Sequence, residues 1–185
     1  MLVRRLPQPV LDTIGTLARL GLAAVWLVSG GLKITDPGQT YLAVQAYDVL
    51  PHALVRPVAT ALPLLELVLG LLLLVGLATR WVAGATLVLL AVLIAGIAQS
   101  WARGLSIDCG CFGGGGQVAT GQTAYPQEIL RDVGFAVLAV WLLVRPRTWL
   151  SLDGWLGWGR GGNGDAGGNS AGAPDDYSTN IAEGN

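Results

Sequence analysis

Charge is scarce in this chain. Of its 185 residues only 12% are Asp, Glu, Lys or Arg, and the formal net charge is -1. A chain so sparsely charged and so nearly balanced offers no basic patch for neutralising phosphates, which excludes nucleic acid as its partner. Histidine occurs once, as His52, and methionine once, at the start. With no methionine cluster to assist it, a cysteine pair here is weakly equipped to handle Cu(I), and no metal site is expected. Cysteine itself is limited to two residues, Cys109 and Cys111.

What the chain has in abundance is apolar length. It is 52% hydrophobic, with a mean hydropathy of +0.57. A bilayer core of about 30 Å takes about 20 helical residues, and four stretches qualify, 13–32, 54–77, 81–100 and 127–144. The expected fold is therefore all-α: a polytopic membrane protein built as a four-transmembrane-helix bundle. The first stretch follows Arg4 and Arg5 as a signal peptide would, but it is long and three more follow, so it reads as a retained anchor. Around this domain, 13–147, the sequence places a short N-terminal arm, 1–12, a Trp-rich interfacial segment, 148–158, and a Gly-rich tail, 159–185. The tail has too little apolar content to fold and is expected to be disordered.

Arginine placement orients the bundle. An arrangement with both termini in the cytoplasm puts Arg4, Arg5, Arg80, Arg145, Arg147 and Arg160 inside, against Lys33, Arg56, Arg103 and Arg131 outside, as the positive-inside rule favours. A multi-pass plasma-membrane protein of this topology presents the cysteine loop to the extracytoplasmic side. In bacteria that side is oxidising, where an exposed cysteine pair cycles between disulfide and dithiol.

The stretch Asp108-Cys109-Gly110-Cys111-Phe112-Gly113 is the chemical centre of the chain. Cysteines spaced C-x-C bring their α-carbons near the upper end of the disulfide window, so a bond between them forms under strain. Strained, exposed disulfides are the labile and catalytic ones. Gly110 allows the turn, and the glycines 113–116 keep bulk from the sulfurs so that a partner thiol can approach. The alternatives are two unpaired loop cysteines or a staple, although a staple closing so short a loop stabilises little. Between the two sulfurs, Cys111 lies nearer the open glycines and is the preferred attacker.

Two charges fall inside the apolar stretches. Counted at 1.5 Å per residue, Arg19 lies about 21 Å and Glu66 about 18 Å from the outer ends of their spans. Opposite charges at similar depth are expected to pair, since an unpaired charge in the bilayer is costly. The alternative has Arg19 snorkelling to the interface while Glu66 is protonated or bonded to a neighbouring helix. Pro63, one turn before Glu66, frees a carbonyl and can open a pocket for the acid, where a proton relay or a quinone head group would find a partner. Between the first two spans, Asp36-Pro37 reads as a helix cap, and Tyr41, Leu42, Val44, Tyr47 and Val49 form an apolar face. A short interfacial helix in this first outer loop is expected, ended by Pro51. His52 follows at the mouth of the second span, either as a plain loop histidine or near enough to the thiols to lower their pKa. Arg131 is read as pairing with Glu128 or Asp132, and alternatively as favouring a thiolate.

The outline Gly30-Gly31-Leu32-Lys33 with Asp36-Pro37, Tyr47 through Leu50-Pro51, Leu62-Pro63-Leu64-Leu65-Glu66 with Gly70, then Arg80, and Arg103-Gly104 leading to Asp108-Cys109-Gly110-Cys111-Phe112-Gly113 resembles the MauE family. That family is grouped with the DoxX-like four-helix membrane proteins. The resemblance runs over 19–144 and leaves out the tail. It implies a role in periplasmic maturation, disulfide formation or export of the methylamine dehydrogenase small subunit, beside a thioredoxin-like partner. The expected function is thus a membrane thiol-disulfide oxidoreductase or redox partner. It would exchange disulfides through Cys109 and Cys111 with an extracytoplasmic thioredoxin-fold protein on behalf of an exported client. Asp108, Gly110, Glu66, Arg19, Arg103 and His52 are the supporting residues. A membrane quinone near Glu66 and Arg19 is the electron acceptor suggested by fold-level analogy with other four-helix disulfide enzymes. The second reading is a non-enzymatic assembly factor or chaperone that uses the cysteine loop as a docking clip.

Overall fold

The computed structural model describes residues 7–119 and 121–145. Arg4, Arg5, Arg147 and Arg160, the 148–158 segment and the 159–185 tail lie outside the described residues.

Helix α1, Gln8–Thr35, opens on Pro7, with a second proline in its first turn, where a missing N–H costs nothing. It stops before Asp36-Pro37, because the residue preceding a proline is driven out of the α region. Asp36 then caps α2, Pro37–Ala46, its Oδ1 accepting from Gln39 N at 2.9 Å. Pro51 introduces α3, His52–Val75, a tight turn leads to α4, Thr79–Ala102, and α5 spans Tyr125–Val144. Each of the four predicted apolar stretches thus coincides with a helix. Among the described residues, α1, α3 and α4 are long and apolar enough to cross a membrane. One departure from pure helix is a two-residue antiparallel pairing between β1, Ile107–Asp108, and β2, Gly116–Gln117.

Packing runs in two layers, α1 along α3 and α4 along α5, with α1 also meeting α5. Leu22, Ala23, Leu73, Ala83, Ala139 and Leu142 are fully enclosed between them. The buried Trp26 donates its Nε1–H to Thr86 Oγ1 at 3.2 Å, tying the layers together. Large apolar side chains cover the outside as well, with Leu17, Val88 and Val137 each more than 60% exposed. A helix bundle that is apolar within and without has lipid as its natural surroundings. The chain is a membrane protein.

Small residues set the α1–α3 register. A Cβ on Gly30 would stand 2.9 Å from Pro63 O and 3.2 Å from Glu66 Cβ, and one on Gly70 would stand 2.8 Å from Leu27 Cγ. Gly30 is therefore level with 63–66, and the first two turns of α3 project past the end of α1. There α2 packs against them. It buries Thr40 and Ala43 rather than its larger side chains, and leaves Leu42 half exposed. A helix thus follows Asp36-Pro37, with Ala43 of its buried stripe set against the cysteine loop.

Candidate functional site

The predicted Arg19–Glu66 pair does not form. Arg19 donates through Nη1 to the carbonyls of Leu73 at 2.8 Å and Leu74 at 3.0 Å. Leu73 lies seven residues beyond Glu66, about 10 Å along the helix. Depth counted from each helix's own end misplaced the acid, because α3 overhangs α1. Glu66, 1% exposed, is instead held by Lys33 Nζ at 2.9 Å to Oε1 and 3.0 Å to Oε2. Ser29 joins them: its Oγ accepts from Lys33 Nζ at 2.6 Å and lies 3.0 Å from Glu66 Oε2 and 2.7 Å from Cys111 O. A hydroxyl has one proton to donate. The shorter contact assigns it to the Cys111 carbonyl, while the ammonium serves the carboxylate. The buried acid thus supports the cysteine loop indirectly, through Lys33 and Ser29.

That loop, 109–115, is closed by the β1–β2 pairing and pressed onto α2. Gly110 has φ +68°, and a Cβ there would stand 3.0 Å from Ala43 Cβ; Gly115 has φ +95°, and a Cβ there would stand 2.7 Å from both Ala43 Cβ and Gly110 Cα. Only glycine fits either position. Asp108 Oδ1 accepts from Gly110 N at 2.8 Å, fixing the turn between the cysteines. Gln39 Nε2 donates to Gly115 O from α2. Tyr47 OH donates to Cys109 O at 3.4 Å, and Tyr125 OH accepts from Ile107 N at 3.0 Å while donating to Leu105 O.

The thiols are free and both are buried, each 8% exposed. The exposed pair expected from the sequence is not found. The glycines let the loop collapse against α2 and α5 instead of holding it open, and Ile97, Ile107 and Tyr125 share its core. Polar groups converge on Cys109 Sγ. Cys111 N donates to it at 3.4 Å and Arg131 Nη2 at 3.6 Å. Arg131 is itself fixed by Asp132 Oδ1 at 3.0 Å and by the Phe112 ring, whose centroid lies 4.9 Å away. Hydrogen bonding from the Cys111 thiol, reinforced by Arg131, holds the Cys109 pKa below its ordinary value despite burial. The same thiol hydrogen bond, with desolvation, pushes Cys111 well above its own. Burial, with the neighbouring cysteines and acids, also raises the Tyr47 hydroxyl far out of its usual range, so it stays a neutral donor. On the far side of Cys109, Glu128 Oε1 accepts from its backbone N at 3.4 Å. Donor atoms of Asp108, Cys109 and Glu128 lie within 4.8 Å of one another, close enough to share a cation.

Of the other predicted residues, Arg103 works at a distance. It grips Asp48 Oδ2 at 2.7 Å and Asp48 O at 3.0 Å, and so pins the turn after α2 that carries Tyr47. His52 is exposed at the start of α3, on a groove shared with Leu50, Leu105, Gly115 and Gly116, and no described hydrogen bond joins it to either sulfur. Sequence reasoning assigned no chemical role to Ser29 and Lys33 and saw Glu128 and Asp132 only as partners for Arg131, of which Asp132 is the one it meets. The available signal was spacing: 29 with 33, and 128 with 132, are four apart and share a helix face.

An apolar helical bundle that carries a cysteine pair folded over one end, hydrogen-bonded to a buried ion pair, defines a polytopic helical membrane protein with a thiol site. The chain belongs to the family described as methylamine utilisation protein MauE, whose model matches residues 11–145, from α1 to the end of α5. Comparison with curated proteins finds no match, and neither does comparison with solved structures.

Proposed function

We propose that this protein is a membrane thiol-disulfide exchange protein that serves the maturation of an exported protein, methylamine utilisation being the setting its family name suggests. Cys109 is the attacking thiolate and Cys111 the resolving thiol, the reverse of the order expected from the sequence. The observation that carries the reading is the convergence on Cys109 Sγ of the Arg131 guanidinium at 3.6 Å and the Cys111 backbone amide at 3.4 Å. Such surroundings favour the thiolate, which is the form that exchanges. Exchange proceeds through a mixed disulfide between Cys109 and a thioredoxin-fold partner, which Cys111 then displaces. In this reading α5 is the fourth span, α2 lies at the membrane surface, both termini are cytoplasmic, and the loop is extracytoplasmic. Exchange is reversible: when the thiolate of a reduced partner attacks the Cys109–Cys111 disulfide, the partner leaves oxidised and the site reduced, and a membrane quinone is the proposed acceptor that restores the disulfide.

Trapping tests the reading. In cells, Cys111→Ser is expected to accumulate a mixed disulfide that disappears in Cys109→Ser/Cys111→Ser. Unchanged client oxidation in the double variant would refute it. One observation favours the second reading, an assembly factor with a structural loop: both cysteines are buried, each 8% exposed. Full complementation by the double variant would select that reading.

A further inference from the structure

Three ligand atoms meet where the cysteine loop crosses the start of α5: the Cys109 sulfur and one carboxylate oxygen each from Asp108 and Glu128, all within 4.8 Å of one another. Glu128 comes to the loop only through the fold, 19 residues on from Cys109, so no local motif announces the set. The loop backbone steadies both carboxylates. Asp108 Oδ1 accepts from Gly110 N at 2.8 Å, and Glu128 Oε1 accepts from Cys109 N at 3.4 Å. Each acid thus spends one oxygen on the loop and keeps the other. Glu128 Oε2 is enclosed, in a residue only 7% exposed, and has no hydrogen-bond partner among the described residues. A buried carboxylate is retained where it is paired or where it ligates a metal.

The neighbouring cations are engaged elsewhere. Arg131 spends Nε on Asp132 at 3.0 Å and Nη2 on Cys109 Sγ at 3.6 Å, and Lys33 holds both oxygens of Glu66. Among the described residues neither Asp108 nor Glu128 forms an ion pair. Two unmatched carboxylates therefore stand beside one sulfur, and a divalent cation balances them.

We propose that Asp108, Cys109 and Glu128 bind Zn(II), with water in the fourth position on the side where Asp108 is partly open to solvent. The donor set selects the metal. A thiolate suits neither Ca(II) nor Mg(II), two carboxylates do not suit Cu(I), and borderline-soft zinc accepts both ligand types. Tetrahedral zinc with ligands at about 2.1–2.3 Å sets them about 3.5 Å apart, so the site closes on the ion with shifts of about 1 Å. The half-buried Asp108 can supply them. Around the sulfur, Cys111 N at 3.4 Å and Arg131 Nη2 at 3.6 Å are the outer hydrogen-bond donors that orient a metal-bound thiolate. Cys111 is not a ligand, which distinguishes this site from a two-cysteine chelate. Zinc and a partner's disulfide claim the same sulfur, so the ion would hold the pair closed to exchange. Only that consequence rests on the exchange reading; binding itself needs no partner.

The test is Co(II) and Zn(II) binding to the full-length reduced protein in micelles, without an affinity tag. A thiolate bound to Co(II) gives a sulfur-to-metal charge-transfer band in the near ultraviolet. One Co(II) per chain with that band is expected, displaced by Zn(II). The band should survive in Cys111→Ser and vanish in Cys109→Ser. Zinc affinity, read by competition with a chelator, should fall at least about tenfold in Glu128→Gln and in Asp108→Asn. Absence of the band in the unaltered chain overturns the proposal. Its loss in Cys111→Ser does so too, as the mark of a two-cysteine chelate, and so does an unchanged affinity in either carboxylate variant, the behaviour of an ion held by sulfur alone. Should Glu128→Gln fail to fold, Cys111→Ser and Asp108→Asn still decide. Failure of the exchange reading, seen as no mixed disulfide with a partner, would leave the binding unchanged.

Discussion

Replacing Lys33 with Met probes the support of the whole site. The ammonium is 9% exposed and makes three contacts of 2.6 to 3.0 Å, two to Glu66 and one to Ser29. Its removal leaves a carboxylate that is 1% exposed with only the Ser29 hydroxyl to face it. Removing one partner of a buried pair costs about 3–5 kcal/mol, whereas replacing both by apolar groups is close to neutral. Lys33→Met is therefore expected to lose about 3–5 kcal/mol of unfolding free energy, and Lys33→Met/Glu66→Leu to regain most of it. The loss also redirects Ser29, whose single proton would turn from the Cys111 carbonyl toward the stranded carboxylate, so the cysteine loop should loosen while the helices stay folded. Reversible unfolding in mixed micelles measures the first effect and the alkylation rate of Cys111 the second. Equal stabilities for Lys33→Met and the double variant would refute the reasoning, since the pair would then carry no coupling.

Other consequences are more local. Because the Cys109 pKa lies below its ordinary value, its alkylation should persist as pH falls below about 8.5, where a free thiol becomes unreactive. Cys111→Ala and Arg131→Gln each remove a hydrogen bond to that sulfur, so both should move the midpoint upward, at about tenfold in thiolate fraction per unit well below the midpoint. Gly115→Ala would force a Cβ to within 2.7 Å of Ala43 Cβ and Gly110 Cα at φ +95°. It is expected to destabilise the loop by about 1–3 kcal/mol, read as faster thiol labelling with helix content unchanged by circular dichroism. Trp26→Phe deletes the buried bond to Thr86 Oγ1 at 3.2 Å and should cost about 1–3 kcal/mol in the same unfolding assay, the penalty of a stranded acceptor.

Much of the fold was legible because bilayer thickness writes a long, monotonous signal. Apolar runs of about 20 residues read unambiguously as helices, and the Asp36-Pro37 cap announced α2 within a residue of where it starts. The site was legible only in part. Cys109 and Cys111 declared themselves by rarity, and Glu66 by standing alone in an apolar helix. What composition could not supply was register. Gly30 and Gly70 let α1 and α3 meet so that Glu66 lies level with Lys33 rather than Arg19. Nothing in the local pattern says that α3 begins two turns beyond the end of α1, since that offset depends on where α2 docks. The glycines of the loop were ambiguous for a related reason: positive φ at Gly115 permits an open loop and a collapsed one equally, and contact with Ala43 decides between them.

The corrected register changes what the buried acid is for. Through Ser29, a chain of hydrogen bonds of 2.9, 2.6 and 2.7 Å runs from Glu66 to Lys33 to Ser29 to the Cys111 carbonyl. The opposite side of the loop is held by Glu128 and Arg131 from α5. The cysteine pair thus sits between the α1–α3 layer and the α4–α5 layer, anchored to one through the Cys111 carbonyl and to the other through the Cys109 amide and sulfur. Closing a disulfide draws the two sulfurs together, and one of these anchors is expected to yield. Ser29→Ala separates the two cases. If the α1–α3 anchor yields on closure, the variant should favour the disulfide by up to about tenfold in the dithiol–disulfide equilibrium, the worth of one hydrogen bond. An equilibrium unchanged by Ser29→Ala would place the movement on the α5 side, at the Arg131 contact to Cys109.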